Sequence, residues 1–413
     1  MMQATDAQLA AQYEALPYPA RDPRDEAKRL IIGSPGHLRE IDYWLFGARR
    51  RPSLPLRALI AGGGTGDATI MLAQQLAWAN RPGQVTWLDR SAAALRIAQA
   101  RAEARRLPGI VWEQRSLFDL PNSGLGPFDY IDCCGVLHHL PDPAEGLRAL
   151  VSVLAPNGGV GLMVYAPHGR TGVYMLQDAL RLLAPAGEPI STRLDATRRV
   201  LKHLPETAWL RFNQSVQDHI SGGDAGLCDL LLNPRDRAFT VPEFAALLAD
   251  AGLEPACWVE PVRYDPMRLL PDPRLRARAE TLTPVARAAL AEALAGNMAV
   301  HIVYCVRRGE LSPRPDPLDP DAVPVAREGD GSDIARFIPS DGTMTMVLDG
   351  LRLQQPMPRL AGAILALVDG TRTVAEIESA LATRGIASDA FRRDWKATFT
   401  ALEQGNRLFL KAA

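Results

Sequence analysis

The sequence predicts an α/β fold built on a doubly wound, mostly parallel sheet, followed by a small C-terminal domain of winged-helix type. Three observations carry this. The stretch Arg57-Ala-Leu-Ile-Ala-Gly-Gly-Gly-Thr-Gly-Asp67 joins an apolar run to a glycine cluster, and Val85-Thr-Trp-Leu-Asp89 follows with a second apolar run that ends in an acid. Glycines and an acid separated by about 20 residues describe a nucleotide-binding βαβ unit. Beyond Arg307 the chain turns proline-rich and acidic, which marks a boundary before the C-terminal part.

Taken in order, Ala58 to Ala61 suits a strand buried on both faces of a parallel sheet. It stops at Gly62, Gly63 and Gly64, where a ligand can sit on backbone that has no Cβ. Gly66 opens a stretch in which Ile70, Met71, Leu72, Leu76 and Ala77 recur with helix spacing, so the loop ends at a helix N-terminus with free amides. Asp89, at the end of the next strand, can accept both hydrogen bonds of a ribose diol. Counted from Gly62, the last glycine of a dinucleotide fingerprint is replaced by Asp67, which would repel a pyrophosphate, and no lysine precedes a Ser or Thr at the loop's end. A nucleoside without phosphates fits better.

These residues resemble the glycine loop and ribose acid of the class I S-adenosylmethionine-dependent methyltransferases. The resemblance continues through Val111-Trp-Glu-Gln-Arg-Ser116-Leu117-Phe-Asp-Leu-Pro121 and Phe128-Asp-Tyr-Ile-Asp-Cys-Cys-Gly-Val-Leu-His-His-Leu-Pro-Asp-Pro143, then through a helix Ala144 to Leu154 and a strand Val160 to Tyr165. It implies a seven-stranded Rossmann-like sheet whose last strand is antiparallel, with S-adenosylmethionine as cofactor. It also implies donor contacts from Ala61, Gly62, Gly63, Gly64, Gly66, Asp89, Arg90 and Gly135, with Ser116 and the Leu117 backbone at the adenine. Two positions depart from the family. Ile60 stands where an acid frequently helps to hold the donor's ammonium group, a duty that Asp67 is the candidate to take over. Ser116 stands where many relatives place an acid, and a hydroxyl accepts more weakly than a carboxylate.

Methyl transfer is an in-line displacement, so the protein mainly aligns the partners and removes a proton from the nucleophile, and no metal is required. His138 and His139 fall where the pocket wall is expected and are candidate bases, with His168 a third candidate beyond the fifth strand. The alternative reading is that one of the two simply caps the following turn.

The 413 residues carry a formal charge of −1 and are 47% hydrophobic, which suits an enzyme of two or three domains. Such a balance argues against a non-specific nucleic-acid binder. The arginine-rich Arg21 to Arg51 has acids interleaved and reads as a solvated helical face. Five cysteines form no Cys-x-x-Cys pair, and neither a signal-like start nor a run of about 18 apolar residues is present, so a cytoplasmic protein off the membrane is expected.

The domain reading places a lid segment at 1–54, in which Tyr13 and Tyr18 are candidate substrate contacts. A methyltransferase domain at 55–308 follows, with expected strands Ala256 to Val262 and Met298 to Val306 and a substrate-covering insertion at about 166–238. In that insertion Arg170 and Tyr174 are candidate substrate contacts, whereas Asp218, His219, Asp224 and Asp229 follow no metal-ligand spacing and are assigned a structural role. A proline-rich linker at 309–332 leads to a winged-helix-like domain at 333–413. Its Leu367-Val-Asp-Gly-Thr-Arg-Thr-Val-Ala-Glu-Ile377 resembles a motif of winged-helix modules that accompany peptide-modifying enzymes. Such a module docks a peptide or protein substrate, or pairs two subunits into a homodimer. The expected function is methyl transfer to a protein, peptide or small-molecule acceptor. The alternative, motivated by Ile60 and Ser116, is a non-catalytic donor-binding scaffold.

Overall fold

A computed structural model describes residues 2–411. Seven strands form the main sheet: β1 Leu56–Ala61, β2 Gly83–Asp89, β3 Ile110–Gln114, β4 Phe128–Cys134, β5 Leu154–Tyr165, β6 Leu253–Trp258 and β7 Val300–Arg307. Their spatial order is β3-β2-β1-β4-β5-β7-β6. Only β7 runs antiparallel to its neighbours, pairing Met163 with Ile302 on one side and Trp258 with Val303 on the other. Strand side chains alternate between faces, so Leu56, Ala58 and Ile60 enter one apolar core while Leu59 and Ala61 enter the other. Burial on both faces explains why Ala58 to Ala61 reads as an unbroken apolar run.

The helices Asp67–Trp78 and Pro143–Ser152 start within a residue of where the sequence predicts, Ala92–Ala104 lies between β2 and β3, and Val241–Asp250 opens with a Thr240–Glu243 capping box. Strand β6 lies three residues earlier than expected at its start, and it ends at Trp258 because Glu260 is left-handed (φ 56°) and Pro261 begins a 3₁₀ turn.

The stretch Arg21 to Arg51 is not a solvated helical face. It is a strap of short turns that buries two of its acids, while Arg24, Asp25 and Lys28 stay at the surface. Glu26 is buried between Arg101 (2.6 Å) and Arg105, and Glu40 is buried between Arg327, the Tyr304 hydroxyl (2.7 Å) and Asn406 (2.8 Å). Those partners lie tens to hundreds of residues away, so no local pattern announces them. The insertion forms helices Val173–Leu183, Ile190–Lys202 and Gly223–Leu231 around their own apolar cluster, joined at its margin by Leu16 from the end of helix Met2–Ala15.

The 309–332 stretch is not a bare linker, because β8 (Val323–Ala326) lies in it and pairs with β11 (Leu408–Lys411). Proline 324 is tolerated there because the two-stranded ribbon has open edges. Between them stand the hairpin β9 (Thr343–Leu348) and β10 (Leu351–Pro356) and the helices Ala361–Leu365, Val374–Ala382 and Ser388–Gln404. The C-terminal part is fused to the sheet by a shared core. Tyr43 and Trp44 of the strap pack on Phe409 at 5.1 and 5.9 Å between ring centres, and the Trp44 indole donates to Asn406 (3.0 Å). No described helix is long and apolar enough to cross a membrane.

Candidate functional site

The carboxyl ends of β1 to β5 open into a cavity of about 890 Å³, closed over by the helix Met2–Ala15, the Pro17–Pro19 turn and the insertion. That is where open α/β sheets bind ligands, and the size suits a drug-sized or larger guest. Of the residues singled out above, Gly62, Gly63, Gly64, Gly66, Asp67, Asp89, Arg90, Ser116, Leu117, Gly135, His139, Tyr13, Tyr18 and Arg170 line it.

Gly62 is needed for two reasons, since its φ is +75° and a Cβ would lie 2.2 Å from Val136 Cγ2. Gly63 is excluded from bearing a side chain by the Trp87 ring, 2.2 Å from its ideal Cβ. The loop is tied to the ribose-type acid: Gly64 N donates to Asp89 Oδ2 (2.9 Å) and Ser91 N to Asp89 Oδ1 (3.0 Å). Burial raises the Asp89 pKa, and the amides of Ser91, Gly64 and Arg90 oppose that rise. Each oxygen keeps a lone pair for a ligand hydroxyl. Ser116 N-caps the 3₁₀ turn Leu117–Asn122, and Leu117 and Phe118 line the cavity beside it.

Asp67 lines the cavity with both oxygens already engaged, by Arg21 (2.6 Å) and Arg101 (2.6 Å). Burial would raise its pKa, but the two guanidiniums hold it below the ordinary value. Its evident work is to tie the strap and helix Ala92–Ala104 to the glycine loop.

On the other side of the cavity lies a cluster of tyrosines and acids. The Tyr13 hydroxyl donates to Asp229 Oδ1 (2.7 Å), that of Tyr165 to Asp229 Oδ2 (3.1 Å) and that of Tyr18 to Asp218 Oδ1 (2.9 Å). Burial raises the pKa of all three phenols, so they stay protonated and donate. Arg170 lies 3.7 Å over the Tyr165 ring and pairs with buried Asp236 (2.8 Å).

The histidines separate. His139 lines the cavity and its Nδ1 lies 2.7 Å from the Arg235 carbonyl, which can only accept, so Nδ1 carries the proton and Nε2 presents a lone pair. His138 does not line the cavity. It is buried, stacked 3.8 Å on Tyr165 and accepts from the Tyr165 amide (3.3 Å), and burial drives its pKa well below the usual value. His168 is exposed and outside the cavity, on a 3₁₀ turn whose next residue, Gly169, is fixed to Met298 O (2.9 Å). Tyr174 is also outside, where its hydroxyl accepts from Arg170 Nε (3.1 Å) and so positions that guanidinium. Ala61 is buried beneath the loop rather than in the lining.

Four lining residues carry weight that the sequence reading did not give them: Asp132, Tyr165, Asp218 and Asp229. A signal existed for two of them. Asp229 interrupts an otherwise apolar Leu227–Leu232 run and Asp132 an apolar strand, and a buried acid in such a setting calls for a partner. Among the described residues none of Asp89, Asp132, Asp218 and Asp229 has an ion-pair partner, while Arg90 at the exposed rim is the one lining arginine without one. The surplus of carboxylates suits a cationic guest.

A family model described as a methyltransferase domain matches residues 59–160. An uncharacterized protein of Synechococcus sp. is 31% identical over 341 residues, 78% of this chain and 76% of that protein. The ubiquinone biosynthesis O-methyltransferases of Albidiferax ferrireducens (36% identical, 19% of this chain and 31% of theirs) and Alkalilimnicola ehrlichii (32%, 34% of this chain and 51% of theirs) match over shorter stretches. The chain thus aligns with about a third to a half of those enzymes. Among solved structures, PKMT2 from Rickettsia typhi superimposes with TM-score 0.64 over 91% of this chain and 75% of that one at 14% identity, and its complex with AdoHcy with TM-score 0.63.

Proposed function

Since the chain belongs to the class I S-adenosylmethionine-dependent methyltransferases, we propose that it methylates a nucleophile held between Tyr13, Tyr18 and Asp229, on a protein, peptide or small-molecule acceptor. S-adenosylmethionine is its cofactor and supplies an activated methyl group on a sulfonium. The observation that carries the reading is one cavity with two differently built ends. One end has a glycine loop and Asp89, and the other has tyrosine hydroxyls clamped by buried acids.

The chain's own residues divide the work. Asp89 accepts from the ribose hydroxyls, and the Leu117 backbone and Ser116 take the adenine. Asp67 braces the loop through Arg21 and Arg101, a positioning role that fits its saturated oxygens better than contact with an ammonium group. His139 Nε2 is the candidate base for the nucleophile's proton, because it is the cavity-facing histidine nitrogen left free by the Arg235 contact. The Tyr13–Asp229–Tyr165 arrangement orients the acceptor.

The acceptor end is roofed by the helix Met2–Ala15 and by Ser215 and Val216 of the insertion. That roof favours a small acceptor, or one side chain of a peptide reaching in, over a folded surface lying flat. The C-terminal part, whose winged-helix character we also propose, would then assist docking rather than chemistry.

The test is a calorimetric titration of S-adenosylmethionine into the wild type and Asp89→Ala. Saturable binding that weakens by roughly 10- to 100-fold in the variant, the size of lost hydrogen bonds to a charged group, supports the donor end. Unchanged binding in Asp89→Ala would reverse that assignment.

A further inference from the structure

Resting on the donor reading above, we propose that Asp132 holds the ammonium group at the amino-acid end of S-adenosylmethionine, a duty carried here on β4 instead of β1. The register places it there. Ile60, the family's frequent acid position, pairs with Asp132 across the β1–β4 ladder, so the two side chains share one face at one height beside the glycine loop. The chain has kept the carboxylate and shifted it by one strand.

The sheet also sets the order of the subsites. Along the cavity floor the strands run β3, β2, β1, β4, and their carboxyl ends bear Ser116 and Leu117, then Asp89, then the glycine loop, then Asp132. Three inter-strand steps of ~4.8 Å make about 14 Å, enough for a nucleoside with an amino-acid chain extended from it. Adenine at β3 and ribose at β2 leave the amino-acid end over β4.

The carboxylate has no cationic partner, and one of its oxygens is left over. Asp132 is 1% exposed, its Oδ2 accepts from the Tyr130 hydroxyl (2.8 Å), and its Oδ1 is buried with no hydrogen-bond partner. A buried, half-satisfied carboxylate is costly unless a cation completes it. The groups around it supply none. Tyr130 and Cys134 share its strand face, Tyr304 faces it from β7, and the nearest acids, Glu40 and Asp67, are tied to Arg327 and to Arg21 and Arg101. The donor's ammonium matches this carboxylate in charge and in hydrogen-bonding capacity.

Burial pushes the free Asp132 carboxyl up to about 7. Only its ionised form attracts an ammonium, so affinity should rise as pH climbs through about 7 and level off above it.

The experiment compares S-adenosylhomocysteine with 5′-methylthioadenosine, which keeps the adenosine and sulfur but lacks the amino-acid end. Calorimetry on the full chain should show Asp132→Asn losing roughly 10- to 100-fold for S-adenosylhomocysteine and less than about twofold for 5′-methylthioadenosine. Equal losses for both ligands would reduce Asp132 to a structural residue, and no loss for either would remove it from the donor site. The wild type gives an independent reading should the variant fold poorly. Between about pH 6 and about pH 8 its affinity for S-adenosylhomocysteine should rise while that for 5′-methylthioadenosine stays level, and parallel profiles would overturn the proposal. Wild type that binds neither ligand would sink the donor reading itself, which is a different failure.

Discussion

The two ends of the cavity are assembled by different means. The end proposed to hold the donor is made of short sequence blocks, each at the carboxyl end of one strand: Gly62–Asp67 after β1, Asp89 at β2, Ser116 and Leu117 after β3. The end proposed to hold the acceptor draws Tyr13 and Tyr18 from the N-terminal segment, Tyr165 and Arg170 from the end of β5, and Asp218 and Asp229 from the insertion, with the Tyr13–Asp229 bond spanning 216 positions. On the proposed reading, binding a common cofactor is fixed by local geometry on a rigid sheet, whereas choosing an acceptor is left to segments that can vary without disturbing it.

The largest expected effect tests how far the glycine-loop end relies on the strap that braces it. Arg101, 1% exposed, holds Glu26 and Asp67 at 2.6 Å each and the Thr65 carbonyl at 2.8 Å. Arg101→Met would leave Glu26 buried with only Arg105, and breaking a buried pair in this way costs about 3–5 kcal/mol. Thermal or urea unfolding should show that loss together with weaker donor binding. Stability within about 1 kcal/mol of wild type would mean that the strap does not brace the loop.

The next sharpens the boundary between the two ends. Asp229→Leu removes the acceptor for both the Tyr13 and the Tyr165 hydroxyl. Labelled-methyl incorporation into acceptors of a cell extract should fall by roughly 10- to 100-fold, the size of lost hydrogen bonds to a charged group. Donor affinity should stay within about twofold of wild type. A matching loss of donor affinity would erase the division drawn here.

This contrast also explains what the sequence made legible. The sheet and most of the residues that line the cavity beside the glycine loop could be read because glycine loops, strand-terminal acids and two-face burial all leave local patterns in Gly62–Asp67, Val85–Asp89 and Phe128–Cys134. What escaped depends on distant partners. The Arg21 to Arg51 strap reads as solvated until Glu26 meets Arg101 and Glu40 meets Arg327. His168 and Tyr174 sit near the right place along the chain, but the turn after β5 points His168 outward and leaves Tyr174 behind Arg170. Asp229 looks structural when its spacing is compared with metal sites, because its partners are tyrosines from other segments. The stretch holding β8 reads as a linker because the strand that pairs with it, β11, lies at the far end of the chain.

The smallest effect asks whether the acceptor end depends on shape or on charge alone. The Arg170 guanidinium carbon lies 3.7 Å over the centre of the Tyr165 ring, and the side chain also bonds Asp236 (2.8 Å) and the Tyr174 hydroxyl (3.1 Å). Lysine keeps the charge and can still pair with Asp236, but it has neither the planar fork nor the stacking face. Arg170→Lys should therefore cost about 1 kcal/mol, close to fivefold in kcat/KM for the acceptor, with donor affinity and its pH profile unchanged. A loss as large as that of Asp229→Leu would show that the Tyr165 ring is held by this stack rather than by its hydroxyl. No loss at all would leave the pairing with Asp236 as the whole of what Arg170 contributes.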